Sequence, residues 1–176
     1  MNIRISGIVQ ESIVDGPGIR YVIFTQGCIH NCTGCHNTGT HSIDGGSVMT
    51  CAEIADKFKR NTLLEGITLS GGEPFLQAKQ CAILAGEAHD AGLSVFVYTG
   101  YTFDELYKRG FIDGDEDIKC LLKNTDILVD GRFVLEERNI LLKFRGSENQ
   151  RIIDVAKTLA TYEDTKQIAE YVFEEY

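Results

Sequence analysis

Residues 20–37 read Arg-Tyr-Val-Ile-Phe-Thr-Gln-Gly-Cys-Ile-His-Asn-Cys-Thr-Gly-Cys-His-Asn. The first part, 20–26, is aromatic and β-branched, the composition of a buried strand. Cys28, Cys32 and Cys35 follow at once at C-x3-C-x2-C spacing, on a loop broken by glycine. They therefore stand at the C-terminal end of a strand, where parallel α/β folds gather their chemistry. A closed zinc site takes four protein ligands, and an electron-transfer iron-sulfur cluster takes four cysteines. Three thiols can instead hold three irons of a 4Fe-4S cluster and leave the fourth open to a ligand that is not protein. A zinc knuckle with His30 or His36 as fourth ligand is the alternative reading of the same loop.

The rest of the chain alternates strand-like and helix-like patterns, with no repeat or Pro-rich linker, which implies βα units and a mostly parallel sheet. Strands are expected at 20–26, 66–70, 94–99, 126–130 and 141–145, with 3–10 antiparallel at an edge, closed by the Gly-Pro-Gly turn at 16–18. Helices are expected at 51–60, 74–91, 102–109, 149–160 and 163–174. Thr50 with Glu53 forms a capping box, and Pro74 suits a first turn whose helix ends at Gly92. A βαβ unit takes about thirty residues, so a chain of 176 residues is too short for eight. The expected fold is α/β: one domain over 1–176, an incomplete (β/α) barrel of five or six mostly parallel strands.

With 43% hydrophobic and 24% charged residues, the composition is that of a soluble globular protein. Residues 1–4 lack the pattern of a secretory signal and the apolar runs are strand-sized, which points to the cytoplasm. There, six cysteines do not imply disulfides. A net charge of -9 argues against nucleic-acid and membrane-surface binding. The acidic runs at 113–117 and in the last fifteen residues read as solvated faces.

A second turn carries chemistry. Ser70-Gly71-Gly72-Glu73-Pro74 sets two glycines and a carboxylate between a strand and a helix. Glycines let backbone approach a ligand, and Glu73 can accept hydrogen bonds from an ammonium; the plain alternative is a tight βα turn. Thr99-Gly100-Tyr101 and Val129-Asp130-Gly131 end the next two strands on the same face. Cys51, Cys81 and Cys120 have no metal spacing and read as small buried hydrophobes. His41 and His89 receive no role.

The cysteine spacing resembles the signature of the radical S-adenosylmethionine (SAM) enzymes. Asp15-Gly16-Pro17-Gly18-Ile19-Arg20 is similar to the glycyl-radical-enzyme activases, and Phe144-Arg145-Gly146-Ser147 with Asn149-Gln150-Arg151 to the branch that serves anaerobic ribonucleotide reduction. The resemblance runs from about residue 3 to about residue 157. It implies a radical SAM type barrel in which Cys28, Cys32 and Cys35 hold a 4Fe-4S cluster whose open iron takes SAM. By the same resemblance, SAM contacts fall to Gly34, Cys35, His36, Gly71, Gly72, Glu73, Thr99, Asp130 and Arg145, the last toward the carboxylate. Gly34 replaces the aromatic residue common before the third cysteine, a change this branch shares. The implied partners are the large catalytic subunit of anaerobic ribonucleoside-triphosphate reductase and a one-electron donor such as flavodoxin or ferredoxin, with Asp15 as a partner contact. Alternatives are the activase of another glycyl-radical enzyme, such as pyruvate formate-lyase, and a non-catalytic zinc-binding adaptor.

Overall fold

The computed structural model describes residues 1–173. Its strands are β1 (Asn2–Ser12), β2 (Arg20–Thr25), β3 (Ser47–Thr50), β4 (Gly66–Gly71), β5 (Ser94–Tyr98), β6 (Ile127–Asp130) and β7 (Arg151–Asp154), in one sheet of order β3-β1-β2-β4-β5-β6-β7. The pairings β2·β4, β4·β5 and β5·β6 are parallel, while β1 is antiparallel to β2 and β3, and β7 to β6. The sheet is thus a parallel centre with antiparallel flanks, rather than mostly parallel, and it has seven strands where five or six were expected. Expected at an edge, β1 is covered by β3.

The period of two along each strand separates two faces. Tyr21, Ile23, Ile67, Leu69, Val95, Val97, Leu128 and Ile153 join the large core, together with α1 (Cys51–Lys59), α2 (Ala78–Asp90), α4 (Glu116–Lys123) and α5 (Val155–Thr165). Phe96, Ile127 and Val129 face the other way and pack with Tyr98, Phe144 and Ile152. Helices therefore cover one face, and the other is left to loops. One of these crosses the sheet at Asp15, whose carbonyl accepts the Thr68 hydroxyl at 2.7 Å. The capping box at Thr50 and Glu53 is present, and Pro74 opens a 3₁₀ turn ahead of α2. The helix expected at 102–109 is α3 (Phe103–Tyr107), continued as a π turn over Lys108–Ile112.

The C-terminal third departs from expectation. Residues 141–145 form no strand: Ile140 and Leu141 are exposed, and Phe144 is left-handed at φ 54°. The strand is β7, within the stretch expected as the start of a helix, because Ile152 and Ile153 serve opposite faces and Asp154 caps α5 through the Lys157 N–H. The 163–174 helix is also replaced. Helix α5 ends at left-handed Lys166, and the following segment runs along β7, with Tyr171 N–H donating to the Ile152 carbonyl at 2.9 Å. This covers an otherwise open sheet edge; residue 174 of the expected helix lies outside the described residues. The acidic run at 113–117 starts α4: Asp115 caps it, and Glu116 and Asp117 sit by its positive end.

Arg20 ties the N-terminal ends of the strands together. It is 1% exposed, and its guanidinium donates to the Thr68 and Ser94 hydroxyls and to the carbonyls of Pro17, Ile67 and Ser94. Burial lowers its pKa to about 10. Arg20→Ala should cost at least about 3 kcal/mol, since each buried acceptor left unpaired carries a penalty of about 1–3 kcal/mol, or roughly 6–12 °C in Tm. Arg20→Lys should recover little, because an ammonium cannot span the same planar fork. A thermal melt of each variant checks this.

Candidate functional site

The C-terminal ends of β2, β4, β5 and β6 surround one cavity of about 390 Å³ on the loop-covered side of the sheet. The ends are held in register past the last ladder residue. Gly72 N–H donates to the Thr25 carbonyl and Glu73 N–H to the Gly27 carbonyl, both at 2.8 Å. That approach requires glycine: Gly71 lies at φ 96°, and a Cβ on Gly72 would collide with the Gly27 carbonyl.

Glu73 is the hub of these loops. Its carboxylate is fully buried and receives the Phe75 N–H at 3.0 Å and the Thr99 hydroxyl at 2.9 Å on Oε1. Oε2 receives the Gly100 N–H at 2.8 Å and lies 2.7 Å from His30 Nε2. Glu73, expected to meet a ligand ammonium, has both oxygens engaged by the chain and does not line the cavity, whereas Ser70, Gly71 and Gly72 of the same turn do. Sequence reasoning missed His30 in this role, weighing it only as a zinc ligand. Its place within the cysteine loop, opposite a buried acid, was the available signal.

Cys28, Cys32 and Cys35 are free, half-buried, and line the cavity together. Gly27 and Cys28 N–H groups donate to the Thr40 and His41 carbonyls at 2.8 and 3.1 Å, which folds the loop back on itself. Burial pushes the Cys28 thiol up, while the N–H groups of His30 and Asn31 favour its thiolate. Among the described residues no three His, Cys, Asp or Glu side chains converge tightly enough to chelate a single ion. A cluster takes one thiolate on each of three irons, so its ligands stand further apart, and a half-buried thiol trio beside ungated backbone fits such a group. Cys81, by contrast, is fully buried behind the sheet, where desolvation raises its thiol. Cys51 is buried as expected, but Cys120 is exposed, against expectation.

The other expected residues divide. His36, Thr99, Arg145 and Asp15 line the cavity with Cys35. Arg145 reaches it from a loop, not from the end of a fifth strand; its Nη1 donates to the Gln150 carbonyl at 2.5 Å. Among the described residues no carboxylate pairs with it. Asp15 accepts the Ser12 hydroxyl at 2.5 Å. Gly34 does not line the cavity: at φ 74° it lies against Leu135. Asp130 does not either, because it is 1% exposed, accepts the Phe103 N–H at 2.7 Å and is paired with Arg151. Gln150, quoted in the Asn149-Gln150-Arg151 motif but given no role there, organises the Arg145 loop by accepting the Gly146 and Ser147 N–H groups.

A thiol trio at the mouth of parallel strands is the setting of an iron-sulfur protein, and residues 14–153 match the family described as "4Fe-4S single cluster domain". The zinc reading of the loop gives way to that match. The chain is 36% identical over 151 residues to the anaerobic ribonucleoside-triphosphate reductase-activating protein of Vibrio cholerae, covering 80% of this chain and 90% of that one. The Escherichia coli K12 protein of the same name is 35% identical over 78% of this chain and 90% of its own. That of phage T4 is 33% identical over 79% and 86%. The chain belongs to the family of anaerobic ribonucleoside-triphosphate reductase-activating proteins.

Two glycines separate close approach from mere flexibility. Gly72→Ala should drive the β2 and β4 loops apart and lower Tm. Gly86→Ala, within α2 and with nothing within 4 Å of the added methyl, should stabilise by about 0.5–1 kcal/mol. Parallel melts that rank the two the other way contradict the geometry.

Proposed function

We propose that the chain is a radical SAM activase that installs a glycyl radical on the large subunit of anaerobic ribonucleoside-triphosphate reductase. Cys28, Cys32 and Cys35 are assigned as the cluster ligands. The observation that carries the reading is that these thiols line one cavity with the Gly71–Gly72 backbone, Thr99 and the carboxylate-free Arg145. When bound and reduced by a one-electron donor of the flavodoxin or ferredoxin kind, the cluster supplies the electron that splits SAM into methionine and a 5′-deoxyadenosyl radical.

The chain's own residues bind and orient. The Gly71–Gly72 backbone offers carbonyl acceptors to the SAM ammonium without a side chain in the way. Arg145 can take the SAM carboxylate through its remaining N–H donors in a charge-assisted pair. Thr99 and His36 border the space left for the nucleoside, and Glu73 serves from behind by fixing the turn. Binding SAM in this one pose replaces a diffusional encounter with a fixed geometry. Asp15, at the rim and braced by Ser12, is assigned to the incoming partner segment.

We also infer that the sheet is an incomplete (β/α) barrel of radical SAM type. Helices on one face, the site at the C-terminal ends of four adjacent parallel strands, and a sheet that ends at β3 without closing on β7 among the described residues support it. The single sheet supports one domain, and the net charge of -9 supports a partner other than nucleic acid.

Anaerobic reconstitution, followed by incubation with SAM, a reductant and the reductase, tests the assignment. The wild type should take up about four irons per chain and give a glycyl radical signal on the reductase. Cys28→Ala, Cys32→Ala and Cys35→Ala should each lose SAM cleavage, while Cys81→Ala keeps it. Asp15→Ala should lower the glycyl radical formed per SAM cleaved. SAM cleavage that survives in a variant of the three cysteines overturns the ligand assignment.

A further inference from the structure

We infer that His30 is the positioning residue that sets the cysteine loop against the Gly71–Gly72 turn, acting through Glu73. The inference rests on the function proposed above but is carried by different atoms. His30 lies midway between Cys28 and Cys32, and its side chain is 3% exposed. Glu73 accepts N–H or O–H from Phe75, Thr99 and Gly100, so its contact with Nε2 at 2.7 Å is a fourth acceptance and Nε2 carries the hydrogen. The ring is wedged as well as bonded. It meets Tyr101 edge-on with centroids 4.6 Å apart, and a Cβ on Gly100 would run into it.

Two consequences follow for the thiols. His30 and Asn31 stand directly in the chain between Cys28 and Cys32. Asn31 is left-handed at φ 49°, a conformation that persists only where its surroundings over-determine it. Locking the imidazole therefore locks the turn that carries Cys28 and Cys32, and groups that orient the ligands are among the levers that tune a cluster.

The opposite ring nitrogen fits a residue that serves the site. His30 lines the cavity, and its Nδ1 is buried with no hydrogen-bond partner among the described residues. An unpaired buried nitrogen costs stability. A residue present only to hold the two loops together would carry no such liability.

The test compares wild type, His30→Ala, His30→Gln and Gly100→Ala. The glutamine amide can donate to Glu73 in place of Nε2. The Gly100 methyl displaces the ring without removing it. In the apo protein, alkylation of Cys28 and Cys32 should be about tenfold faster in His30→Ala and Gly100→Ala, because loop opening governs access. After reconstitution, both variants should show an altered electron paramagnetic resonance spectrum of the reduced cluster and SAM affinity weakened about tenfold, the scale of one charge-assisted hydrogen bond. His30→Gln should return all three readings toward wild type. Wild-type alkylation rates and spectra in a folded Gly100→Ala or His30→Ala overturn the inference, as does a His30→Gln no better than alanine. Should the wild type itself take up no iron, the proposed function fails, while the alkylation comparison still decides the role of His30.

Discussion

A buried carboxylate must be surrounded by donors or it destabilises the fold, and Glu73 meets that requirement by drawing on three separate loops. The turn after β4 gives the Phe75 N–H, the end of β5 gives the Thr99 hydroxyl and Gly100 N–H, and the cysteine loop gives His30. Residues far apart in sequence are thereby fixed to one small group. The surface that faces the cavity includes Gly71 and Gly72, the three cysteines, His36, Thr99 and Arg145. Glu73 thus shapes the site from behind.

The same division between support and site recurs elsewhere. Arg20 clamps β2, β4 and β5 at the end remote from the cavity, with hydroxyl and carbonyl partners and, among the described residues, no carboxylate. Asp130 and Arg151 hold β6 to β7 and anchor the start of α3. Arg20 and Asp130 are buried and hydrogen-bonded, so each constrains geometry more than it adds net stability. The cavity lies on the face that the helices leave free.

Much of this was legible in the residues. The β-branched run before Cys28 marked β2, and the alternation of strand-like and helix-like patterns marked β4, β5 and β6. What could not be read was tertiary. The apolar run Ile140-Leu141-Leu142 resembles a strand by composition, yet Ile140 and Leu141 are exposed, and Arg151–Asp154 pairs with β6 instead. Hydrophobicity without a period does not say which segment finds a partner. Likewise the site residues were recognisable by type but not by direction. Glu73 and Asp130 carry the right chemistry for a ligand, and both turn out to face inward, toward donors that sequence spacing does not reveal.

The central claim is that three protein thiolates hold the cluster and leave one iron for SAM. Mössbauer spectroscopy of protein reconstituted anaerobically with iron-57, with and without SAM, tests it most directly. The account predicts that SAM shifts about one quarter of the iron signal and leaves the remainder in place, as one open iron in a four-iron cluster requires. Iron that is indifferent to SAM, or a signal in which all sites shift alike, contradicts it.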